Sequence, residues 1–361
     1  MKKITALILS IVLVMALFTG CSSSSSKALK TGIGVVSSTD HSSKDAEDED
    51  GLAQTDSTVA AVLVDDKGVI KQVSIDMVQT KINFSNTGEI TTDPDATFQT
   101  KQELGFEYNM KDASPIGKEW FEQAEAFEKY ITGKTLEEVK GIALEGGKAT
   151  DEDLVSSVTI SIGDLIAAVE KAVNNAKDLG AKESDKLGLG VVAAIGSKTA
   201  NAEDGDGVAQ AYSHYAAVTL DKDGKITSSM IDASQSDVNF SKEGKLTKVG
   251  AADAYQTKNE LGDGYEMKEA SSIGKEWFEQ AEGFSKYITG KTIEEVKGIS
   301  LEGGKPTDED LLSSVTIAIS DCIQVVERRS VAIFLVWSEN VEKNIYINNL
   351  GTFYYYYSHF L

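Results

Sequence analysis

The segment Ile116-Gly-Lys-Glu-Trp-Phe-Glu-Gln-Ala-Glu125 returns unchanged as Ile273 to Glu282, and this duplication constrains the fold more than any other feature of the chain. Lys129-Tyr-Ile-Thr-Gly-Lys-Thr135 returns as Lys286 to Thr292, and Leu144-Glu-Gly-Gly-Lys148 as Leu301 to Lys305. Upstream, Gln99-Thr-Lys101 pairs with Gln256-Thr-Lys258 and Asn83-Phe-Ser85 with Asn239-Phe-Ser241. The spacing is far longer than the roughly 20–45 residues of a solenoid unit. Two whole domains in tandem are expected, at 52–176 and 207–327, joined by a linker at 177–206 that is rich in Gly, Ala and charge.

Each copy has the same internal order. Val59 to Val64 is apolar and β-branched, Asp66-Lys-Gly68 is a turn signal, and Val69 to Val78 alternates apolar with polar. The second copy has Ala216 to Leu220, then Asp221-Lys-Asp-Gly224. Asn86-Thr-Gly88 and Glu243-Gly244 predict a second hairpin turn. Helical spacing follows: Trp120, Phe121, Ala124, Phe127 and Ile131 share one face, and Gly133 ends the run. Thr135-Leu-Glu-Glu138 fits a capping box, and Ile162, Leu165, Ile166, Val169 and Val173 form the apolar face of a closing helix. Strands followed by helices within one unit predict an α+β fold: two tandem copies of an antiparallel sheet with packed helices.

The ends differ from this body. Residues 1–20 read as a signal peptide: Lys2 and Lys3 precede an apolar run from Ile4 to Phe18, and Thr19-Gly20 precedes Cys21. The Gly-Cys ending resembles a bacterial lipobox, which implies lipidation of Cys21 and a lipid-anchored, extracytoplasmic location. Ser22 to Ser26 reads as a flexible tether, and residues 21–51 together as a disordered, polar and acidic spacer. Cys322 is the other cysteine, so no internal disulfide is expected, and by position it repeats Leu165 as a buried apolar residue. Residues 328–361 break the symmetry: Arg328-Arg-Ser-Val-Ala-Ile-Phe-Leu-Val-Trp337 and a Tyr-rich end replace an acidic, Ala-rich helix. Such a tail is either an extra strand or helix, or a segment read out of its ancestral frame.

Function classes narrow on charge and on the scarcity of reactive groups. A net charge of −22 argues against nucleic acid, which needs a basic face, and against docking on anionic lipid through surface charge. None of the three histidines, His41, His214 and His359, recurs in the other copy, so neither a Ser/His/Asp arrangement nor a histidine metal site is expected. One repeated hydroxyl-rich stretch remains: Asp153-Leu-Val-Ser-Ser-Val-Thr-Ile-Ser-Ile162, returning as Asp310-Leu-Leu-Ser-Ser-Val-Thr-Ile-Ala-Ile319. It leads into the closing helix, whose free N–H groups and partial positive charge could hold a phosphate. Alternatively, the hydroxyls cap backbone while Val and Ile pack inward.

The motif Asp-x-x-Ser-small-small-Thr before a final amphipathic helix, repeated on a lipoprotein-like chain, resembles the FMN-binding domains related to NqrC-type covalent flavin carriers. The resemblance covers both copies. It implies FMN joined to the motif threonine through a phosphoester, installed by a separate flavin transferase, and electron exchange with a membrane redox partner. Carried over by position, Thr159 and Thr316 are the acceptors, Asp153 and Asp310 the leading acids, and Ser156 and Ser313 the motif serines. Ser157-Val158 and Ser314-Val315 stand where the family keeps Gly-Ala. Trp120, Trp277, Tyr130 and Tyr287 are rings that could stack on a flavin or fill the core. The expected function is an electron carrier rather than a catalyst; the alternative is a non-redox binding or structural envelope lipoprotein on a flavin-free version of the fold.

Overall fold

A computed structural model describes residues 27–42, 45–250, 255–337, 345–347 and 353–355. Residues 1–20, read above as a signal peptide, and Cys21 lie outside the described residues. The fold is α+β, with two sheet-bearing halves of matching order.

The first half opens with three long antiparallel strands: β1 (Ala28–Ser38), β2 (Gly51–Val64) and β3 (Ile70–Phe84). After β4 (Thr97–Phe98) come α1 (Lys101–Leu104), α2 (Trp120–Ile131) and α3 (Leu136–Lys140). A two-residue hairpin, β5 (Leu144–Glu145) and β6 (Lys148–Ala149), leads to α4 (Glu152–Val155) and the closing helix α5 (Gly163–Asn174). β7 (Lys177–Lys182) then returns to the sheet edge, giving the order β3-β2-β1-β7. The second half repeats the plan as β8 (Lys186–Ile195), β9 (Gly207–Leu220), β10 (Ile226–Phe240), β11 (Leu246–Lys248), α6 (Lys258–Leu261), α7 (Trp277–Ile288) and α8 (Ile293–Lys297). It finishes with β12 (Leu301–Glu302), β13 (Lys305–Pro306), α9 (Glu309–Leu312) and α10 (Ser320–Trp337). Its sheet runs β11-β10-β9-β8-β4, so the first half's β4 is lent to the second half's edge.

Two boundaries need correction. The stretch read as a disordered spacer contains β1, paired with β2 from Lys30↔Val64 to Ser38↔Asp56. The stretch read as a linker contains β7 and β8, the latter paired with β9 from Lys186↔Leu220 to Ile195↔Ala211. The physical reason is visible along β1. Leu29, Ile33 and Val35 face one side and are buried, and the glycines between them are required by the closing helices. A Cβ on Gly34 would lie 2.1 Å from the carbonyl oxygen of Ala168, and one on Gly190 would lie 2.0 Å from that of Val325. Strands rich in Gly and Ser read as polar, yet here they let a helix sit directly on backbone.

The halves share a core. Alternate residues of each strand face opposite sides, as the period of two requires. Val36, Ala60, Val62, Ile70 and Ile75 pack under α2 and α5 with Trp120, Phe127 and Val169. Their neighbours Ile33, Val35, Val59, Ala61 and Leu63 turn the other way, onto Leu187, Leu189, Val191, Tyr215 and Ala217 of the second sheet. The architecture is therefore four layers: helices, sheet, sheet, helices. The two sheets are related by a local twofold. Ala46 N–H donates to the Gly244 carbonyl at 2.7 Å, and Ala202 N–H to the Gly88 carbonyl at 2.7 Å. Phe84 and Phe240 stack between the halves at 4.4 Å between ring centroids. Lys171–Glu260 at 2.7 Å and Arg328–Glu103 at 3.1 Å are the same ion pair made twice, across the interface in both directions.

The symmetry ends near the C-terminus. α10 continues to Trp337, past the point where α5 gives way to β7, and Ile345–Ile347 pairs antiparallel with Phe353–Tyr355. No helix among the described residues is long and apolar enough to cross a membrane.

Candidate functional site

The two threonine loops are built alike from their own sequence. Asp151 and Asp308, rather than Asp153 and Asp310, cap the short helices α4 and α9: Asp151 Oδ1 accepts from Asp153 N–H at 3.1 Å and Leu154 N–H at 3.2 Å, and Asp308 Oδ1 from Leu311 N–H at 3.0 Å. Asp153 and Asp310 are exposed first-turn residues. The serine hydroxyls then turn back on the helix end. Ser156 donates to the Asp153 carbonyl at 2.9 Å and Ser157 to that of Leu154 at 3.2 Å; Ser313 and Ser314 do the same with Asp310 and Leu311 at 2.7 and 3.2 Å. Val158 and Val315 point into the cores beneath.

Thr159 and Thr316 are half-buried and held from below by a residue that the motif does not contain. Gln123 Oε1 accepts the Thr159 N–H at 2.8 Å, the Thr159 hydroxyl at 3.2 Å and the Ile160 N–H at 3.2 Å. Gln280 Oε1 makes the same three bonds to Thr316 and Ile317 at the same distances. Each amide group is also used: Gln123 Nε2 donates to Ser114 Oγ and the Lys118 carbonyl, both at 3.1 Å, and Gln280 Nε2 to Ser271 Oγ and the Lys275 carbonyl, both at 3.1 Å. Both glutamines are 0 % exposed. The signal that could have found them is a polar residue on the apolar stripe of α2, one turn from Trp120 and Phe127, kept in both copies.

Beyond the threonine, Gly146 and Gly147 at φ 57° and 79° form the β5–β6 turn, a left-handed backbone that favours glycine. Gly147 accepts the Ile162 N–H at 2.8 Å and the Ser161 hydroxyl at 3.3 Å through its carbonyl. The lead-in to α5 is thus tied on one side by Gln123 and on the other by the glycine turn. Each threonine loop belongs to its own outer helical layer, so the two loops lie on opposite sides of the double sheet.

The aromatic residues divide. Trp120 and Trp277 are each 4 % exposed and enclose a buried lysine. Lys101 Nζ lies 4.7 Å from the Tyr108 ring and 5.3 Å from Trp120; Lys258 Nζ lies 4.6 Å from Tyr212, 4.6 Å from Tyr265 and 5.0 Å from Trp277. The indoles are therefore core, not stacking platforms. Burial lowers Lys101 and Lys258 to about 8 and raises the Asp76 and Asp232 carboxyls to about 7. Tyr130 and Tyr287 are half-buried at the threonine-loop side; burial first, then the charges of Asp151 and Asp153, raises the Tyr130 phenol. Lys134 and Lys291 cover these rings at 4.5 and 4.4 Å.

In the second half Cys322 and His214 sit near Lys258. Burial pushes the Cys322 thiol up to about 12 and, with Lys258 beside it, holds His214 down to about 3. With His214 made a weak base and Cys322 a weak acid, proton transfer from this thiol to this imidazole is strongly uphill at neutral pH. No group of acids, histidines and cysteines able to hold a metal occurs among the described residues.

No family model and no solved structure matches the chain. A chlorophenol reductase of Desulfitobacterium hafniense is 34 % identical over 128 residues, which is 32 % of this chain and 37 % of that protein. The chain thus spans little more than a third of the length of that relative.

Proposed function

We propose that the chain is an extracytoplasmic lipoprotein that carries FMN covalently on Thr159 and Thr316 and passes electrons between a membrane redox partner and an external acceptor. The observation that carries this reading is the identical presentation of the two threonines, each half-exposed on a loop whose backbone is fixed by one buried glutamine. The Val residues that replace the family's small residue do not crowd the hydroxyl, because their side chains are buried on the core side. The name of the partial relative is that of a redox protein, which agrees with this reading and goes no further.

The loop fits an attachment point better than a phosphate cradle. The N–H groups of Thr159 and Ile160 are engaged by Gln123, and Asp151, Glu152 and Asp153 crowd the same short helix. The ester bond, rather than non-covalent grip, would hold the group, with Tyr130 and Tyr287 as the adjacent rings. A bound flavin supplies the electron transfer, and the protein supplies position and surroundings. Cys21 supplies the anchor through acyl chains.

A second reading, a flavin-free binding lipoprotein, is favoured by the fact that Ser156, Ser157 and Thr159 all already have partners within the fold. Co-expression with a flavin transferase separates the two. The carrier reading expects yellow protein whose flavin absorbance stays with the chain after denaturation and gel filtration. Colourless protein from a co-expression in which a control carrier is flavinylated would sink it.

A further inference from the structure

The first threonine loop has four hydroxyls, and three of them donate to a backbone carbonyl: Ser156 to Asp153, Ser157 to Leu154 and Ser161 to Gly147. Thr159 alone donates to a side chain, Gln123 Oε1, 36 residues away on α2. In the second loop Ser313 and Ser314 donate to Asp310 and Leu311, and Thr316 to Gln280 Oε1 on α7. The acceptor of the threonine hydroxyl is itself fixed. Gln123 Nε2 donates to Ser114 Oγ and to the Lys118 carbonyl, and a carbonyl pairs only with a donor, so the amide cannot be turned over. Oε1 therefore faces the loop, where the N–H groups of Thr159 and Ile160 converge on it with the hydroxyl.

This bond decides how the hydroxyl is presented. Gln123 is buried beneath the loop while Thr159 is half-buried, so the O–H bond points inward. The two lone pairs of Oγ1 then point away from Oε1, toward the open side of the residue. Donating the proton also polarises the hydroxyl, placing more negative charge on its oxygen. The bond occupies the proton and leaves the nucleophilic side of the oxygen free.

We propose that Gln123 and Gln280 are positioning residues that single out Thr159 and Thr316 from the neighbouring serines and aim their oxygens at an incoming flavin phosphate. This inference rests on the flavin-carrier reading. In the step itself, Thr159 Oγ1 forms a bond to the flavin-side phosphorus of a flavin dinucleotide. The phosphoanhydride bond breaks and the nucleoside monophosphate leaves. The hydroxyl proton passes to a base of the flavin transferase, because an amide oxygen is too weak a base to keep it. The two N–H bonds to Oε1 remain afterwards and keep the loop anchored.

The test uses chains with one acceptor each. Thr316→Ala leaves Thr159 alone, and its initial loading by a flavin transferase with flavin adenine dinucleotide is followed by intact mass against chain concentration. Adding Gln123→Met should lower kcat by at least about tenfold with KM little changed, since a small misplacement of the reacting oxygen is costly while docking is untouched. Ser114→Ala, a milder change that frees one side of the Gln123 amide, should lower kcat by about threefold and serves where Gln123→Met does not fold. Leu154 is 1 % exposed beneath the same loop, and Leu154→Ala hollows the core without touching the glutamine. It should lower the thermal midpoint comparably to Gln123→Met and leave kcat unchanged. In Thr159→Ala, Gln280→Met should lower the loading of Thr316 as Gln123→Met lowers that of Thr159. Unaltered kcat in the Gln123 and Ser114 variants, or an equal loss in Leu154→Ala, would overturn the positioning role while flavin attachment stands. No loading of either one-acceptor chain with its glutamines intact would overturn the flavin-carrier reading itself, and this inference with it.

Discussion

At the scale of single residues, the threonine loops depend on Gln123 and Gln280 more than on their own hydroxyls. One buried oxygen satisfies three donors, so removing it strands two backbone N–H groups at once. Gln123→Leu should destabilise the fold by about 2–4 kcal/mol, read as a lower urea midpoint, and Gln280→Leu by a similar amount. The buried acids and lysines give a pH signature. Asp76 and Asp232 titrate near 7 in the folded chain against 3.8 for the ordinary group, so the fold is penalised progressively as pH rises through that window. Lys101 and Lys258 titrate near 8 against 10.5, and their penalty is relieved as pH rises above 8. Unfolding free energy should pass through a minimum between about pH 7 and about pH 8 when measured in urea from about pH 5 to about pH 10. Asp76→Asn with Asp232→Asn should flatten the acid limb, and an unchanged limb would contradict the assignment.

At the scale of elements, what was legible was what is local. Thr135 caps α3 through Glu138, as the capping box requires, and the stripe Trp120, Ala124, Phe127 and Ile131 is the buried face of α2. β1 was not legible as a strand because Gly, Ser, Thr and Lys dilute its apolar residues, and β8, although apolar or Gly from Leu187 to Ile195, lies in a stretch otherwise rich in Gly, Ala and charge. The clue was Gly32-Ile-Gly-Val-Val36 against Gly188-Leu-Gly-Val-Val192, a repeat too short to stand out. What the glycines do depends on helices more than a hundred residues away in sequence, which no local pattern encodes. Gly34→Ala and Gly190→Ala should each cost about 2–3 kcal/mol or more, because the added carbon meets fixed helix backbone rather than a movable side chain. Thermal unfolding of the two variants checks this.

At the scale of the molecule, the duplicated domains are one body. Among the described residues, the inner face of each sheet, with Ile33, Val59 and Leu63 on one side and Leu189, Val191 and Tyr215 on the other, is covered by its partner. A half corresponding to residues 27–182, expressed alone, should therefore self-associate, which sedimentation velocity would show; a stable monomer would contradict the shared core. The same duplication makes the proposed attachment countable, since two equivalent loops on opposite layers would carry one flavin each. Intact mass of the chain co-expressed with a flavin transferase tests this most directly. Two FMN-sized increments are expected in the unaltered chain, one in Thr159→Ala, one in Thr316→Ala and none in the double variant. Increments that persist in the double variant, or none in the unaltered chain, would contradict it.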